Sequence, residues 1–423
     1  MSTVASSVAS GLSLAPFRAL RPAVDAERLG RLLCPPYDVI DEAERTRLLE
    51  RDPDNAVGII LPRAKGATDA YTVAARRLAD AVGSGLFAVD PDPALYVYEM
   101  YPRDGSPTRG LLGAVELREP ADGVILPHED TMPGPLADRL ALMTATRADV
   151  EPIYLVYDGG RATSQLISDT NDAQPVAIGT TPDGVRHRLW RLTNPEQHAA
   201  VAADLATRHA LIADGHHRYA TYLRLQHNFR EQHGPGPWDR GLALLVDSSS
   251  YGPHVQAIHR VLIGLPLSVA VERARETCLV RPVASTTQAL DELARTPGFA
   301  AVLADGAGVY LLSDPDGRLT QAARVPGEPR ALAELDVTVL HRGLVRQIWR
   351  LDDTVEAVGF AHSVEEALAE ARRTLGTAVL LRPTPSTAVA AVAAAGGRMP
   401  RKSTLFTPKP ASGLVMRRFA DQK

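Results

Sequence analysis

Hydrophobic runs alternate with turn-forming residues along the whole chain, and their spacing predicts both strands and helices. Residues 94–117 contain two β-rich runs around a Pro/Asp/Gly turn, which predicts a β-hairpin. Before it, apolar residues from Tyr71 to Val82 recur at helical spacing and end at a Gly-Ser-Gly cluster, which predicts a helix. This mixture, with an antiparallel hairpin in it, predicts an α/β (α+β mixed) fold with mixed sheets.

The middle of the chain repeats the alternation of strands and helices. Segments 152–157 and 187–192 are predicted strands, and Asn194 followed by Pro195 predicts the start of a helix that runs to Leu205. A short apolar strand at 210–213 is followed by Asp-Gly and then by an amphipathic helical pattern. The chain is therefore predicted to run strand, tight turn, helix at this point.

In the C-terminal third, apolar residues at helical spacing from Leu340 to Ile348 predict a helix. Ser363 with Glu366 predicts a capping box at the start of another helix. We divide the chain into a disordered tail (1–15), an N-terminal α/β lobe with the hairpin (16–125), a central lobe (126–265) and a C-terminal α/β lobe (266–423).

Composition narrows the classes of function. Among 423 residues, 46 Lys and Arg face 50 Asp and Glu, a net charge of −4 that argues against a nucleic-acid partner. No apolar run approaches the length of a membrane span, and two cysteines cannot build a disulfide framework. We expect a cytoplasmic protein with a small-molecule substrate and no membrane partner, and leave a homodimer open.

The densest polar constellation is Asp-Gly-His-His-Arg-Tyr at 214–219. A helix that begins directly after a glycine turn presents unsatisfied N–H groups and a partial positive charge, which together favour an anion. His216, His217 and Arg218 would add donors to phosphate oxygens. Asp214 could cap the helix, bind Mg²⁺ or act as a base. The plainer alternative is that Asp214 caps a helix whose other polar residues face water; a zinc site is disfavoured because adjacent histidines on a helix diverge.

Two further clusters have the residue types of a catalytic site. His-Glu-Asp-Thr at 128–131 precedes Asp138-Arg139, and a carboxylate beside a histidine can act as a general base or hold a metal; a solvated acidic loop is the alternative. Met-Pro-Arg-Lys-Ser-Thr at 399–404 places an amine beside two hydroxyls, although the glycine spacing of a P-loop is absent and an exposed basic turn is the alternative. Pro35-Pro36-Tyr37-Asp38 predicts an extended segment that ends on a carboxylate.

Taken together, CPPYDVI, NAVGIILP, HEDTMPGPLADRL, IADGHHRYATYLRL, HVQAIHRVL and MPRKSTLFTPKPASGLV resemble, in this order, the bacterial and archaeal family catalogued as domain of unknown function ten-fifteen. The Asp-Gly-His-His-Arg-Tyr segment is similar to the phosphate-binding turn of the ParB/sulfiredoxin superfamily, which includes kinases of free L-serine. The resemblance implies a ParB/sulfiredoxin-like phosphate-binding core and phosphoryl transfer from ATP, ADP or pyrophosphate to the hydroxyl of serine or a similar small amino acid.

The resemblance also implies roles for individual residues. The donor phosphate would be bound by Gly215, His216, His217 and Arg218. In the mechanism that we expect from the residue types, Lys402, Ser403 and Thr404 would bind the transferred or leaving phosphate. The catalytic carboxylates would be Glu129 as base, Asp38 and Asp214, with Mg²⁺ at Asp214 or Asp138. Apart from the resemblance, we expect substrate contacts from Tyr37, His128, Arg139, His259, Arg260 and Lys409 on the basis of their residue types. The alternatives are a phosphohydrolase acting on a small phosphomonoester and a non-catalytic nucleotide-binding regulator.

Overall fold

The computed structural model of the chain describes residues 11–314 and 316–422. Within them the chain forms two compact units, and each is described by itself. The first unit takes in the residues up to 127, residues 131–253 and those from 408 onward. The second unit takes in residues 128–130 and 254–407.

The first unit is built on a mixed sheet. Its strands, in chain order, are β1 (Leu14–Ala15), β2 (Leu20–Pro22), β3 (Phe87–Val89), β4 (Leu95–Tyr101), β5 (Thr108–Glu116), β6 (Ile125–Leu126), β7 (Ala148–Asp149), β8 (Ile153–Tyr157), β9 (Ala177–Thr180), β10 (Arg186–Leu192), β11 (Ala210–Asp214) and β12 (Arg240–Asp247). The main sheet has the order β6-β11-β8-β12-β5-β4-β10-β9, with β1 beside β5. β8 pairs with β12 and β6 with β11 in parallel, whereas the other neighbours are antiparallel, so the predicted mixed sheet is confirmed.

Helices cover this sheet and bury its apolar side chains. They are α1 (Ala26–Leu32), α2 (Glu42–Arg51), α3 (Val57–Ile60), α4 (Ala70–Gly83), α5 (Pro133–Thr146), α6 (Arg161–Asp169), α7 (Pro195–Leu205), α8 (His216–His233) and α9 (Ser248–Tyr251). One core joins residues of β4, β5, β8, β11 and β12 to α7 and α8, among them Leu111, Leu155 and Tyr222. A second core lies among α2, α3 and α4. Burial of these apolar surfaces is the main stabilising contribution to the unit.

The second unit has its own sheet and core. Its strands are β13 (His254–Gln256), β14 (His259–Leu262), β15 (Leu279–Pro282), β16 (Ala300–Ala304), β17 (Val309–Ser313), β18 (Val358–Ala361), β19 (Thr377–Leu380) and β20 (Leu405–Thr407). Six of them form the sheet β15-β17-β16-β19-β14-β18, and β13 pairs with β20. The helices are α10 (Leu267–Ala274), α11 (Thr286–Arg295), α12 (Arg318–Ala322), α13 (Arg330–Ala333), α14 (Asp336–Val339), α15 (Val364–Arg373) and α16 (Ser386–Ala394), with a π-helix at Leu340–Ile348.

The end of the chain returns to the first unit. Strand β21 (Arg417–Arg418) pairs antiparallel with β7, and the Arg417 guanidinium donates to the buried Asp149 carboxylate over 2.9 Å. Within the described residues, no helix is both long and apolar enough to cross a membrane.

Most predicted elements are confirmed with small shifts at their ends. The hairpin is β4 and β5, the helix after Tyr71 is α4, and Asn194 caps α7 by accepting the Glu196 N–H over 2.9 Å. The predicted capping box is only half formed, because Ser363 caps α15 but the Glu366 carboxylate accepts from the His362 N–H.

The predicted disordered tail needs correction. Residues 1–10 of that tail lie outside the described residues. In the described part, Leu12 and Leu14 are buried, and β1 pairs with β5. Burial of these two leucines against the sheet explains why residues 11–15 are ordered.

Candidate functional site

The turn between β11 and α8 is shaped by a β-bulge and by a glycine. The register of β11 against β8 shifts between Ile212 and Asp214, where the bulge re-aims the Asp214 side chain. Gly215 follows with φ of 93°, in the left-handed region that favours glycine. Asp214 and Gly215 thus form the sharp turn from strand to helix that was predicted from the sequence.

The first turn of α8 begins without a side-chain cap. Gly215 is the N-cap, its carbonyl accepts the Tyr219 N–H over 2.8 Å, and no side-chain cap is present among the described residues. The alternative in which Asp214 caps the helix is therefore wrong. The positive end of an 18-residue helix lies at this point, which favours a negatively charged group.

Arg218 folds back toward the start of its own helix. The residue is 1% exposed, and its guanidinium donates to the Pro152 carbonyl and to the Asp214 carboxylate. Among the described residues, its Nε has no hydrogen-bond partner. A Cβ on Gly215 would lie 3.0 Å from this Nε, so the guanidinium packs directly on the glycine turn. A buried, unpaired donor beside a helix N-terminus is suited to an incoming anion.

Asp214 holds two cations in place. Besides Arg218, it accepts from the Lys409 ammonium over 2.6 Å, and Lys409 also contacts the Asp38 carboxylate over 3.2 Å. Burial alone would raise the pKa of Asp214, but Lys409 and Arg218 lower it to about 2. The carboxylate therefore stays ionised at neutral pH, which makes it a fixed counter-charge and a weak base.

Glu151 organises the other side of this cluster. It is fully buried and accepts from the Tyr37 N–H over 3.1 Å and from the Ser412 hydroxyl over 2.8 Å, and Arg139 lies 3.5 Å away. The Arg139 guanidinium also stacks on the Tyr37 ring, with its carbon 4.1 Å from the ring centre. Glu151 thereby fixes segments from three distant parts of the sequence around the same buried charges.

The two histidines of the turn lie at the partly exposed start of α8. His217 Nε2 accepts the Met132 N–H over 2.9 Å, which ties the turn to the residue before α5. His216 lies close enough to Asp214 to contribute to lowering the pKa of that carboxyl. Both histidines are placed where the sequence puts them, next to the helix N-terminus.

The two carboxylates that are predicted to bind Mg²⁺ are both paired with protein groups. Asp214 already holds Arg218 and Lys409. Asp138 accepts from Arg139 Nε over 2.9 Å and from the Tyr71 hydroxyl over 2.9 Å. In the part of the chain that the structure describes, no group of three His, Cys, Asp or Glu residues could hold a metal ion. These carboxylates serve protein cations, so we derive no step through a metal.

In the second unit, the predicted base lies beside the predicted phosphate-binding segment. Ser403 N–H donates to the Glu129 carboxylate over 3.4 Å, and His128 Nε2 is 2.9 Å from the Thr404 hydroxyl. The His128 carbonyl also accepts the Met399 N–H over 2.7 Å. The structure therefore brings together two sequence motifs that are separated by about 270 residues.

His259 and Arg260, which are predicted substrate contacts, are buried and bind protein groups. His259 is buried and its Nδ1 accepts the Leu381 N–H over 3.2 Å. Arg260 is fully buried, and its guanidinium donates to His341 and to carbonyls of the 258–259 and 401–402 segments. The Arg260 donors are therefore committed to protein partners, and a substrate contact from either side chain stays a prediction.

Sequence reasoning missed Glu151, Ser412 and Tyr154. The Tyr154 hydroxyl is buried and has no partner among the described residues. Burial, together with the nearby Asp214 charge, raises the pKa of Tyr154. Glu151 precedes the fully buried strand β8 by two residues. A carboxylate directly before a buried strand was the only signal in the sequence for Glu151. Ser412 had no such signal in the sequence.

The family match and the structural similarities come from three comparisons. A family model described as a protein of unknown function (DUF1015) matches residues 14–338. No curated protein matches the chain. A conserved hypothetical protein from Pyrococcus furiosus is 15% identical with a TM-score of 0.34, covering 71% of this chain and 94% of that chain.

Two other solved structures have similar scores. C-terminally truncated SbnI from Staphylococcus aureus is 12% identical with a TM-score of 0.35, over 71% of this chain and 85% of that one. A free serine kinase in complex with AMP is 15% identical with a TM-score of 0.34, over 67% of this chain and 86% of that one.

Proposed function

The chain belongs to the DUF1015 family of proteins of unknown function, and from the geometry of its first unit we propose that it is a small-molecule phosphotransferase. The donor phosphate binds at the turn from Asp214 to Arg218. The observation that carries the proposal is the uncapped start of α8 at Gly215, with the buried Arg218 Nε unpaired among the described residues. Helix N–H groups and a guanidinium are the donors that phosphate oxygens accept.

The charges around the turn support phosphate binding in a specific way. Asp214 holds Arg218 and Lys409 beside the helix N-terminus before any ligand arrives. Phosphoryl transfer needs positioning and charge stabilisation more than covalent participation of the protein. A phosphate at this turn would gain the helix N–H groups and the Arg218 Nε donor, which has no partner among the described residues.

The acceptor we propose is the hydroxyl of free L-serine or a similar small amino acid, on the basis of the sequence resemblance. Its oxygen forms the new bond to phosphorus while the bond from phosphorus to the leaving phosphate oxygen breaks. The hydroxyl proton passes to a carboxylate base, a role that we assign to Glu129. The side chain of Glu129 is 22% exposed, and its carboxylate accepts from the Ser403 N–H.

The test is product formation by the purified full-length protein. The protein is incubated with L-serine and ATP, ADP or pyrophosphate in turn, with Mg²⁺ and in parallel with a chelator, and phosphoserine is measured. We expect phosphoserine with at least one donor. No product with any donor would contradict the proposal, and phosphate release from phosphoserine without transfer would favour a phosphohydrolase.

A further inference from the structure

The segment assigned to the phosphate in the second unit contains a strained residue. Lys402 has φ of 54°, in the left-handed region that side-chain-bearing residues disfavour. Such a conformation persists only where surrounding contacts fix it. The turn from Arg401 to Ser403 therefore needs a partner that holds its backbone.

Arg260 is that partner. From β14 its Nη2 donates to the Lys402 carbonyl over 2.9 Å and to the Arg401 carbonyl over 3.3 Å. Its Nη1 donates to the Ile258 carbonyl over 2.8 Å, and its guanidinium carbon lies 4.7 Å from the centre of the Phe360 ring. A planar guanidinium fixed in this way offers its remaining donors in a single direction.

His341 fixes the guanidinium from the other side. Arg260 Nε donates to His341 Nε2 over 2.9 Å, and His341 Nδ1 lies 2.8 Å from the Asp353 carboxylate. Arginine has only donors, so His341 Nε2 must accept. The ring is therefore neutral, with its proton on Nδ1 and donated to Asp353.

The helix that carries His341 is itself unusual. His341 lies in the π-helix at Leu340–Ile348, a rare conformation that is frequent at functional sites. Two arginines are the other charged neighbours of the His341–Asp353 pair. Arg346 forms an ion pair with Asp353 over 3.3 Å, and Arg401 interacts electrostatically with Asp353. Glu129 acts on Arg260 from the segment at 128–130.

We propose that Asp353, His341 and Arg260 form a positioning chain that holds the turn at Arg401–Ser403 and so fixes the direction in which Lys402 is presented. The catalytic meaning of this positioning chain rests on the proposed phosphotransferase function, for which the sequence predicts Lys402 as a phosphate contact. All three are positioning residues, because they act through the backbone of the turn.

The positioning chain should depend on pH through His341. A protonated His341 would carry N–H groups on both nitrogens, and its Nε2 would then oppose Arg260 instead of accepting from it. Burial lowers the pKa of His341, against the opposing effect of Asp353, and Arg260 lowers it further. The pKa of His341 is lower in the folded protein than in the unfolded chain. The stabilisation of the turn by neutral His341 is therefore fully present above the ordinary histidine pKa of about 6.5, and it is lost as the pH falls below that value.

Hydrogen exchange of the backbone amides at 399–404 tests the chain in the full-length protein without any substrate. Arg260→Met and His341→Phe should each reduce protection of these amides at least tenfold, while the amides of β16 stay protected. His341→Gln should retain protection, because a glutamine amide can accept from Arg260 and donate to Asp353. The matched control is Arg382→Met, which removes an arginine of the same unit that binds Asp336 and the Thr296 carbonyl.

The same experiment at pH 7.5 and 5.5, corrected for intrinsic exchange, tests the histidine. Protection at 399–404 should fall at the lower pH in the wild type and stay constant in His341→Gln. Unchanged protection in His341→Phe, or the same pH dependence in His341→Gln, would overturn the proposal. A wild type that makes no phosphoserine but shows the expected exchange would refute the phosphate role alone and leave the positioning chain supported.

Discussion

Some residues of the candidate site bind partners that lie far away in the sequence. Asp214, Gly215 and Arg218 could be selected from the sequence because a strand, a glycine and donors follow one another there. That Arg218 turns inward to Asp214 and the Pro152 carbonyl could not be predicted, because Pro152 is 66 residues away in the sequence, just before β8. Glu151 was missed for the same reason: its partners Tyr37 and Ser412 are more than 100 residues away.

At the residue scale, Glu129→Gln tests the base. The substitution keeps the size and the acceptor oxygen facing the Ser403 N–H, but it removes the group that can take a proton. We expect donor and serine affinities within about threefold of the wild type and a fall in kcat of about 10²–10⁴-fold. Steady-state phosphoserine formation with calorimetric binding measures both.

An unchanged kcat in Glu129→Gln would move the base to another residue. The matched control is Glu328→Gln, whose carboxylate pairs with Arg342 at the surface of the same unit. Its kcat should equal that of the wild type, because a partly exposed surface pair contributes little.

At the scale of elements, local patterns were sufficient for most of the fold. The hairpin, α4, α7 and the strand–turn–helix at 210–233 depend on periodicity, caps and turn residues within a few positions, and all are confirmed. The π-helix at Leu340–Ile348 was predicted only as a helix, since its periodicity does not reveal the change in hydrogen bonding. The β-bulge before Asp214 depends on pairing with β8 and had no local signal.

Gly215→Ala tests the turn as an element. A φ of 93° is strained for alanine, and the added Cβ would lie 3.0 Å from Arg218 Nε. We expect the free energy of unfolding to fall by about 1–2 kcal/mol and donor affinity to fall at least tenfold. Chemical denaturation and calorimetric titration measure the two effects.

Gly234→Ala at the other end of α8 is the matched control. Gly234 has φ of 75°, and a Cβ there meets nothing within 4 Å. This variant should lose stability as well, yet keep its donor affinity. Equal affinity losses in the two variants would show that the helix start has no special part in binding.

At the scale of the whole molecule, each of the two units is built from segments that are not contiguous in the sequence. Residues 128–130 belong to the second unit although their neighbours in sequence belong to the first, and the segment from 408 onward returns to the first unit. That return supplies Lys409 to Asp214 and Ser412 to Glu151. Contacts between such distant segments depend on tertiary packing. Local sequence patterns therefore cannot predict these contacts.

The central claim is that the turn at Gly215 binds the phosphate of the donor, and calorimetric titration of Arg218→Met tests it most directly. The control is Arg109→Met, which removes a buried arginine of the same unit that pairs with Glu99. Wild type and control should bind at least one of ATP, ADP and pyrophosphate with equal affinity. Arg218→Met, with its fold confirmed by circular dichroism, should bind that donor about 10–100-fold more weakly; wild-type affinity in this variant would contradict the account.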